Sequence, residues 1–217
     1  MQQIVINAAL FSKDQILKKL AEQGIRTNHY AEQFLSHPRF SLESLESITV
    51  VIASLQEIGL ENGATLLEIF QRIPQVGLKP CPLETGPLLR LAWVDQPKSQ
   101  NSILSGTHEA PNLAVTVLSD TLEDSNAFPK GLYLRNVDGV RWLRGYVCDA
   151  EYRFPGTSLF AFELQRFVDH ADQLVGLAGI DEAQQYGGKF AIELRTHAAR
   201  DLVPHLLPSE CATIASC

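Results

Sequence analysis

Residues 133–149, with the sequence YLRNVDGVRWLRGYVCD, contain the side chains best suited to contact another molecule. Three arginines and three aromatic residues lie in this short segment. Arginine, tryptophan and tyrosine are enriched among the residues that dominate binding at protein interfaces. A guanidinium group over an exposed aromatic ring contributes about 0.5–1 kcal/mol. This segment is therefore the first candidate for a binding surface.

The pair Asp138-Gly139 predicts a two-residue hairpin turn, because both central residues of a type I′ turn need positive φ. Such a turn fixes the strand register, and side chains then alternate between the two faces. The expected pairs are Tyr133–Arg144, Leu134–Leu143, Arg135–Trp142, Asn136–Arg141 and Val137–Val140. The predicted core face carries Leu132, Leu134, Leu143 and Val147, with Asn136 and Arg141 near the turn. The opposite face carries Tyr133, Arg135, Val137, Val140, Trp142, Arg144 and Tyr146.

Two interpretations of this second face stay open from the sequence. In one, the protein's own helices cover the face, and the arginines extend to solvent or pair with acidic residues. Nearby acidic residues are Glu123, Asp124, Asp149 and Glu151. In the other, the face binds a ligand or a partner. Its candidate binding residues are Tyr133, Arg135, Trp142, Arg144 and Tyr146.

Candidate catalytic residues are few, and none of the common catalytic motifs occurs in the chain. The best nucleophile candidate is Cys81, which the sequence places as the cap of a short helix that starts at Pro82, where a thiol pKa can be depressed. The alternative is a small buried cap between two prolines. His108 lies in a polar loop at 98–112, where it is a weaker candidate, and Cys148 is a more distant second nucleophile.

No metal or cofactor site is predicted. The four cysteines form no C-x-x-C pair and match no zinc spacing, so four free thiols are expected. Asp169, His170 and Asp172 cluster in sequence, but on a helix they do not share one face.

The segments GATLLEIF, GLKPCPLETGPLLRLAWVDQP and KGLYLRNVDGVRWLRGYVCD together resemble a set of uncharacterised bacterial proteins. The resemblance covers roughly residues 45–164 and implies a domain boundary, without an activity. Its signature positions are Cys81, Pro82, Pro87, Arg90, Leu91, Asp95, Gln96 and Pro97. All of them are compatible with roles in turns and helix caps.

Composition narrows the class of partner. The chain has 217 residues, a hydrophobic fraction of 45% and a formal net charge of −7, which is typical of a folded globular protein and disfavours nucleic-acid binding. Its apolar runs are too short to span a bilayer, which takes about 20 residues. The amino terminus lacks the features of a signal peptide, so a cytoplasmic protein is expected.

Periodicity and turn residues predict an α+β fold with N-terminal helices packed on a mostly antiparallel sheet. We expect helices over 12–37, in two segments, and over 64–73. Strands are expected near 48–53, 90–94, 113–119, 132–148 and 158–164. The predicted core domain covers residues 1–164, and residues 165–217 form a mixed C-terminal appendage.

Together these observations predict a non-catalytic protein-binding module, such as an adaptor, an inhibitor or an immunity-like partner, that uses the arginine–aromatic face of the hairpin. The alternative is a small enzyme or nucleotide-ligand binder that uses Cys81 or the 98–112 loop. The binding-module interpretation predicts that the partner is another protein.

Overall fold

A computed structural model of the chain describes residues 1–6, 11–40, 47–99 and 112–165. These residues form four helices and eight strands, which confirms the predicted α+β class. The helices are α1 Lys13–Glu22, α2 His29–Ser36, α3 Leu66–Arg72 and α4 Thr85–Ala92. Single 3₁₀ turns cover Gln56–Ile58 and Ile73–Val76. The strands are β1 Gln2–Ile6, β2 Arg26–Thr27, β3 Ile48–Ser54, β4 Leu78–Lys79, β5 Val115–Val117, β6 Gly131–Val137, β7 Val140–Tyr146 and β8 Leu159–Leu164.

All eight strands belong to one mixed sheet, in the order β1-β3-β8-β5-β6-β7-β2, with β4 also paired to β8. Most neighbouring pairs are antiparallel, as predicted. The pairs β5–β8 and β2–β7 are parallel. Among the described strands, β2 alone lies outside the hairpin β6–β7, which is therefore near one end of the order given above.

One face of the sheet is covered by α1, α2 and α4, and we call it the helical face. Ser12 caps α1 through a capping box with Gln15, and the apolar side of that helix buries Ile16 and Leu20. The core on this face includes Leu132, Leu134 and Leu143 of the hairpin, which confirms the predicted core positions. The fourth predicted position, Val147, is wrong: β7 ends at Tyr146, so the strand alternation does not reach Val147, which is exposed.

The opposite face has a second apolar core over β3 and β8, and we call it the second face. Val51, Phe160 and Phe162 from these strands are buried there with Ile69 of α3. A sheet with both faces covered explains why the strand ITVVIAS is almost continuously apolar and buried. The second face of the hairpin continues this surface toward β2.

The predicted strand at 90–94 is wrong, because α4 runs through Ala92 and ends there. Leucine, arginine and alanine are good helix formers, and they outweigh the apolar alternation of RLAWV. Pro87 occupies the third position of this helix. A proline is tolerated there, since the backbone N–H groups of the first turn have no partner within the helix.

The short strands β1, β2 and β4 were not predicted, because each pairs with a strand far away in sequence. The remaining predicted helices and strands coincide with described elements to within a few residues. Apart from Gln165, the predicted appendage at 165–217 lies outside the described residues. None of the described helices is long and apolar enough to cross a membrane.

Candidate functional site

The β6–β7 hairpin has the predicted turn and register. Asp138 and Gly139 have φ values of 51° and 82°, as a type I′ turn requires. The five predicted cross-strand pairs all occur, from Val137–Val140 at the turn to Tyr133–Arg144. The local sequence therefore determines which side chains share a face.

On the second face, the register places three side chains in one row across three strands. Arg26 of β2 is the partner of Trp142 on β7, and Trp142 is the partner of Arg135 on β6. The adjacent row contains Arg144 and Tyr133. We call these five residues, Arg26, Tyr133, Arg135, Trp142 and Arg144, the arginine–tryptophan face.

The Trp142 ring contacts two guanidinium groups. That of Arg144 lies 5.3 Å from the ring centroid, and that of Arg26 lies 5.7 Å from it. Both distances are within the range of cation–π attraction. The ring holds the two cations close together, and so reduces the conformational entropy that each would lose on binding a third group.

The five predicted binding residues differ in exposure. Trp142 and Arg144 are half-buried, whereas Tyr133 and Arg135 are buried, with 8% and 3% of their surface exposed. Burial raises the pKa of Tyr133, while nearby Arg144 and Arg135 oppose that shift. Burial also lowers the pKa of Arg135. Trp142 and Arg144, together with exposed Arg26, therefore form the accessible part of the arginine–tryptophan face.

Tyr146, the fifth predicted binding residue, packs against the apolar core of the second face. Its ring packs edge-on against Phe154 at 6.1 Å between centroids, and it joins the core of the second face. Burial raises the pKa of its hydroxyl far above the usual value. Tyr146 therefore lies on the same face as Trp142, but its ring packs in the core against Phe154.

Two of the four acidic residues near the hairpin in sequence have partners outside the arginine–tryptophan face. Glu123 pairs with His37 at 3.4 Å, and Asp149 accepts hydrogen bonds from the backbone N–H groups of Glu151 and Tyr152. In the described part of the chain, neither Arg26 nor Arg144 forms an ion pair with a carboxylate. A concentration of positive charge therefore lies on a chain whose net charge is −7.

Arg26 is the functional candidate that the sequence did not reveal. It comes to the site because the Asn28 side chain attaches the chain to the outer edge of β7. The Asn28 amide donates to the carbonyl of Gly145 at 3.0 Å and accepts from its N–H at 2.8 Å. The same oxygen caps α2 by accepting from Ala31 N–H. A helix cap at Asn28 was detectable in the sequence, but its pairing with β7 was not.

Arg141 lies on the helical face, as the alternation predicted. It donates at 3.2 Å to the carbonyl of Gln23 and to the Gln23 side chain, at the end of α1. Asn136 beside it donates to the backbone carbonyl of Gln96 at 2.8 Å. Asn136 is buried between the hairpin and the helices, whereas Arg141 is partly exposed beside the end of α1.

Cys81 is not a helix cap. It forms an isolated bridge with Ser119, and α4 begins four residues later at Thr85. The thiol is 3% exposed, donates to the carbonyl of Ala161 at 3.5 Å, and has its pKa raised by burial. A protonated, shielded thiol has the opposite properties to a reactive nucleophile. Cys148 is half-buried, and burial raises its pKa as well.

The remaining candidates for catalysis or metal binding lie mostly outside the described residues. His108 and most of the 98–112 loop lie outside the described residues, as do Asp169, His170 and Asp172. A cleft of about 330 Å³ lies beside the ends of that loop, and its lining includes Pro97, Leu113 and Trp93. Within the described ranges, no three histidine, cysteine, aspartate or glutamate side chains are grouped as metal ligands.

Comparison with protein-family models gives no match to the chain. Comparisons with curated proteins and with solved structures also give no match. The resemblance to the bacterial set therefore stays a prediction.

Proposed function

We propose that this protein is a non-catalytic protein-binding module, such as an adaptor, an inhibitor or an immunity-like partner. Its contact surface is the arginine–tryptophan face. The observation that carries this proposal is the contact of the Trp142 ring with both Arg26 and Arg144, neither of which is neutralised by a carboxylate in the described part of the chain.

Charge complementarity indicates an acidic segment on the partner. Guanidinium groups bind carboxylates through two parallel hydrogen bonds, and this geometry adds specificity as well as energy. Trp142 supplies an apolar ring that is already oriented, so little side-chain entropy is lost on association. The overall charge of −7 disfavours a nucleic acid as the anionic partner.

The chemistry of Cys81 supports a binding function over a catalytic one. A thiol that is buried and whose pKa is raised cannot supply a thiolate at neutral pH. Cytoplasmic localisation and a bacterial origin remain parts of the proposal. Two free cysteines, Cys81 and Cys148, support a reducing compartment.

The test is affinity capture of the full chain from its native cells, with bound proteins identified by mass spectrometry. Wild type is compared with Trp142→Ala and Arg144→Ala, and with Lys18→Gln as the control. Lys18 is 76% exposed on α1, away from the hairpin, so its substitution removes one positive charge without touching the arginine–tryptophan face. Circular dichroism and thermal unfolding confirm that each variant is folded.

We expect one acidic protein to co-purify with wild type and with Lys18→Gln, and to be lost from Trp142→Ala and Arg144→Ala. Recovery should also fall when the salt concentration is raised, because the contact is electrostatic at its rim. If folded Trp142→Ala and Arg144→Ala retain every specific partner at the wild-type level, the proposed surface is wrong.

A further inference from the structure

Strand β1 lies at one end of the order of the described strands. It pairs antiparallel with β3 along its whole length, residue for residue and without a bulge. In the described part of the chain, no strand pairs with its other edge, and no turn or loop hydrogen bond reaches its backbone. Alternate residues of an antiparallel strand direct their N–H and C=O groups to opposite edges. The outer edge of β1 therefore presents unpaired backbone donors and acceptors.

The opposite end of the strand order is protected against further pairing. There the Asn28 side chain occupies both backbone groups of Gly145, and β2 covers the neighbouring positions with only two residues. Short edge strands, charged residues, prolines and bulges are the usual means by which proteins prevent pairing at a sheet edge. The five residues of β1, with the sequence QQIVI, include no charged residue, proline or glycine. This strand therefore lacks the features that oppose the addition of another strand.

The side chains of β1 are neutral and partly accessible. Gln2 and Gln3 are exposed, and Val5 is 59% exposed although it is apolar. Gln3 is the register partner of Val51, which belongs to the core of the second face. Because side chains alternate along a strand, Gln3 and Val5 both lie on the second face. A strand added at this edge would cover part of the exposed Val5 side chain.

We propose that the outer edge of β1 pairs antiparallel with β1 of a second copy of the chain. The contact is isologous, with a two-fold axis perpendicular to the sheet, as in most homodimers. With this axis at Ile4, each Ile4 lies opposite its counterpart, and Gln3 lies opposite Val5 of the second copy. No like charges then face each other, which would destabilise a strand pair. The strand is thus complementary to itself in both its backbone and its side chains.

The dimer should be weak and reversible. A pair of five-residue strands buries less than the roughly 1,200 Å² of a standard interface. The net charge of −7 on each copy also opposes association, and salt screens this repulsion. Raising the salt concentration should therefore strengthen the dimer, whereas it should weaken binding of an acidic partner to the arginine–tryptophan face.

Pairing through β1 would give the two copies one continuous sheet. The hairpin β6–β7 lies near the other end of the strand order, so one arginine–tryptophan face would lie toward each outer end. A two-fold axis perpendicular to the sheet keeps the second faces of both copies on the same side. The dimer would then present two contact surfaces in one direction. This consequence rests on the proposed function, whereas the pairing of β1 does not.

Sedimentation velocity of the full chain, from low micromolar to near-millimolar concentration, tests the dimer. Val5→Lys places a charge on the edge strand, and Leu67→Lys is the matched control, since Leu67 is 66% exposed on α3. We expect wild type and Leu67→Lys to dimerise equally, and Val5→Lys to dimerise at least tenfold more weakly. Circular dichroism and thermal unfolding confirm that both variants are folded. A wild type that stays monomeric, or equal dimerisation of the two variants, would overturn the proposal.

Amide hydrogen exchange with mass spectrometry locates the contact. The peptide that contains Gln2–Ile6 should exchange more slowly at high than at low wild-type concentration. A dimer without this added protection would overturn the proposal. A monomer whose β1 is protected at every concentration would overturn it too, because another segment of the chain would then cover the edge. Trp142→Ala should dimerise like wild type, so failure of the β1 contact is distinguishable from failure of the arginine–tryptophan face.

Discussion

The Arg26 guanidinium lies 5.7 Å from the centre of the Trp142 ring, and this contact brings the edge strand β2 into the arginine–tryptophan face. The Arg144 guanidinium approaches the same ring, at 5.3 Å. The indole is therefore a spectroscopic reporter of the proposed surface. The only other tryptophan, Trp93, is buried in the core of the helical face.

Arg26→Gln should increase the solvent exposure of Trp142, because it removes one of the two groups that lie against the ring. We expect a shift of tryptophan emission to longer wavelength and stronger quenching by acrylamide. The loss of stability should be small, about 0.5–1 kcal/mol. Lys18→Gln is the control, and emission spectra identical for wild type and Arg26→Gln would contradict the contact.

Asn28→Ala should destabilise the protein by about 2–3 kcal/mol. The substitution removes the cap of α2, worth about 1 kcal/mol, and leaves the N–H and carbonyl of Gly145 without partners. Urea unfolding monitored by circular dichroism measures this loss.

Ser12→Ala is the matched control for Asn28→Ala, since Ser12 caps α1 without pairing to a strand. Its expected cost is about 1 kcal/mol. If both substitutions cost the same, the pairing of Asn28 with β7 contributes nothing to stability.

Gly145→Ala should be more damaging than Gly139→Ala. A Cβ atom at position 145 would lie 2.5 Å from the backbone carbonyl carbon of Tyr30, so α2 would have to move away from β7. We expect the free energy of unfolding to fall by about 3 kcal/mol, which is the upper end of the range for overpacked sites. Displacement of α2 should also weaken binding at the arginine–tryptophan face.

Gly139→Ala meets no atom within 4 Å, and only its φ of 82° opposes the substitution. Its cost should be about 1 kcal/mol. The comparison is made by urea unfolding of both variants. A greater loss of unfolding free energy for Gly139→Ala than for Gly145→Ala would contradict the close packing of α2 on the hairpin.

Cys81 should resist alkylation in the folded protein. Burial raises the pKa of its thiol, so the folded protein holds the proton at pH values where the unfolded chain, with a thiol pKa of about 8.5, releases it. The stability that this neutral thiol contributes is complete below about pH 8.5 and declines as the pH rises above it.

Iodoacetamide labelling at pH 8, followed by peptide mass spectrometry, measures this protection. We expect Cys81 to react only after unfolding in urea, and half-buried Cys148 to react earlier. Rapid labelling of Cys81 in the folded state, at or above the rate of Cys148, would instead favour the nucleophile hypothesis.

The features that the sequence predicted best are those set by residues close together in the chain, such as the hairpin turn and its register. Asp138-Gly139 specifies a two-residue turn, and this turn fixes the register of β6 and β7. That register pairs Trp142 with Arg135 on β6, but it does not determine the neighbour of Trp142 on the outer side of β7. That second neighbour, Arg26, depends on a parallel pairing between β2 and β7, which no local pattern encodes.

Two errors in the prediction have the same origin. In RLAWV, apolar alternation suggested a strand, although Arg90 belongs to the last turn of α4. Its burial depends on Gln96 and on the hairpin, which only the folded structure brings together. Likewise, the Cys81 position between prolines suggested a cap, whereas a bridge to Ser119 determines its environment.

The most direct test of the account is the dissociation constant of the captured partner for purified wild type and for the double variant Arg26→Gln/Arg144→Gln, measured by calorimetry. We expect at least a tenfold weaker complex for the double variant, which corresponds to about 1.4 kcal/mol, with Lys18→Gln at the wild-type value. Equal affinity of the folded double variant and wild type would contradict a binding role for the arginine–tryptophan face.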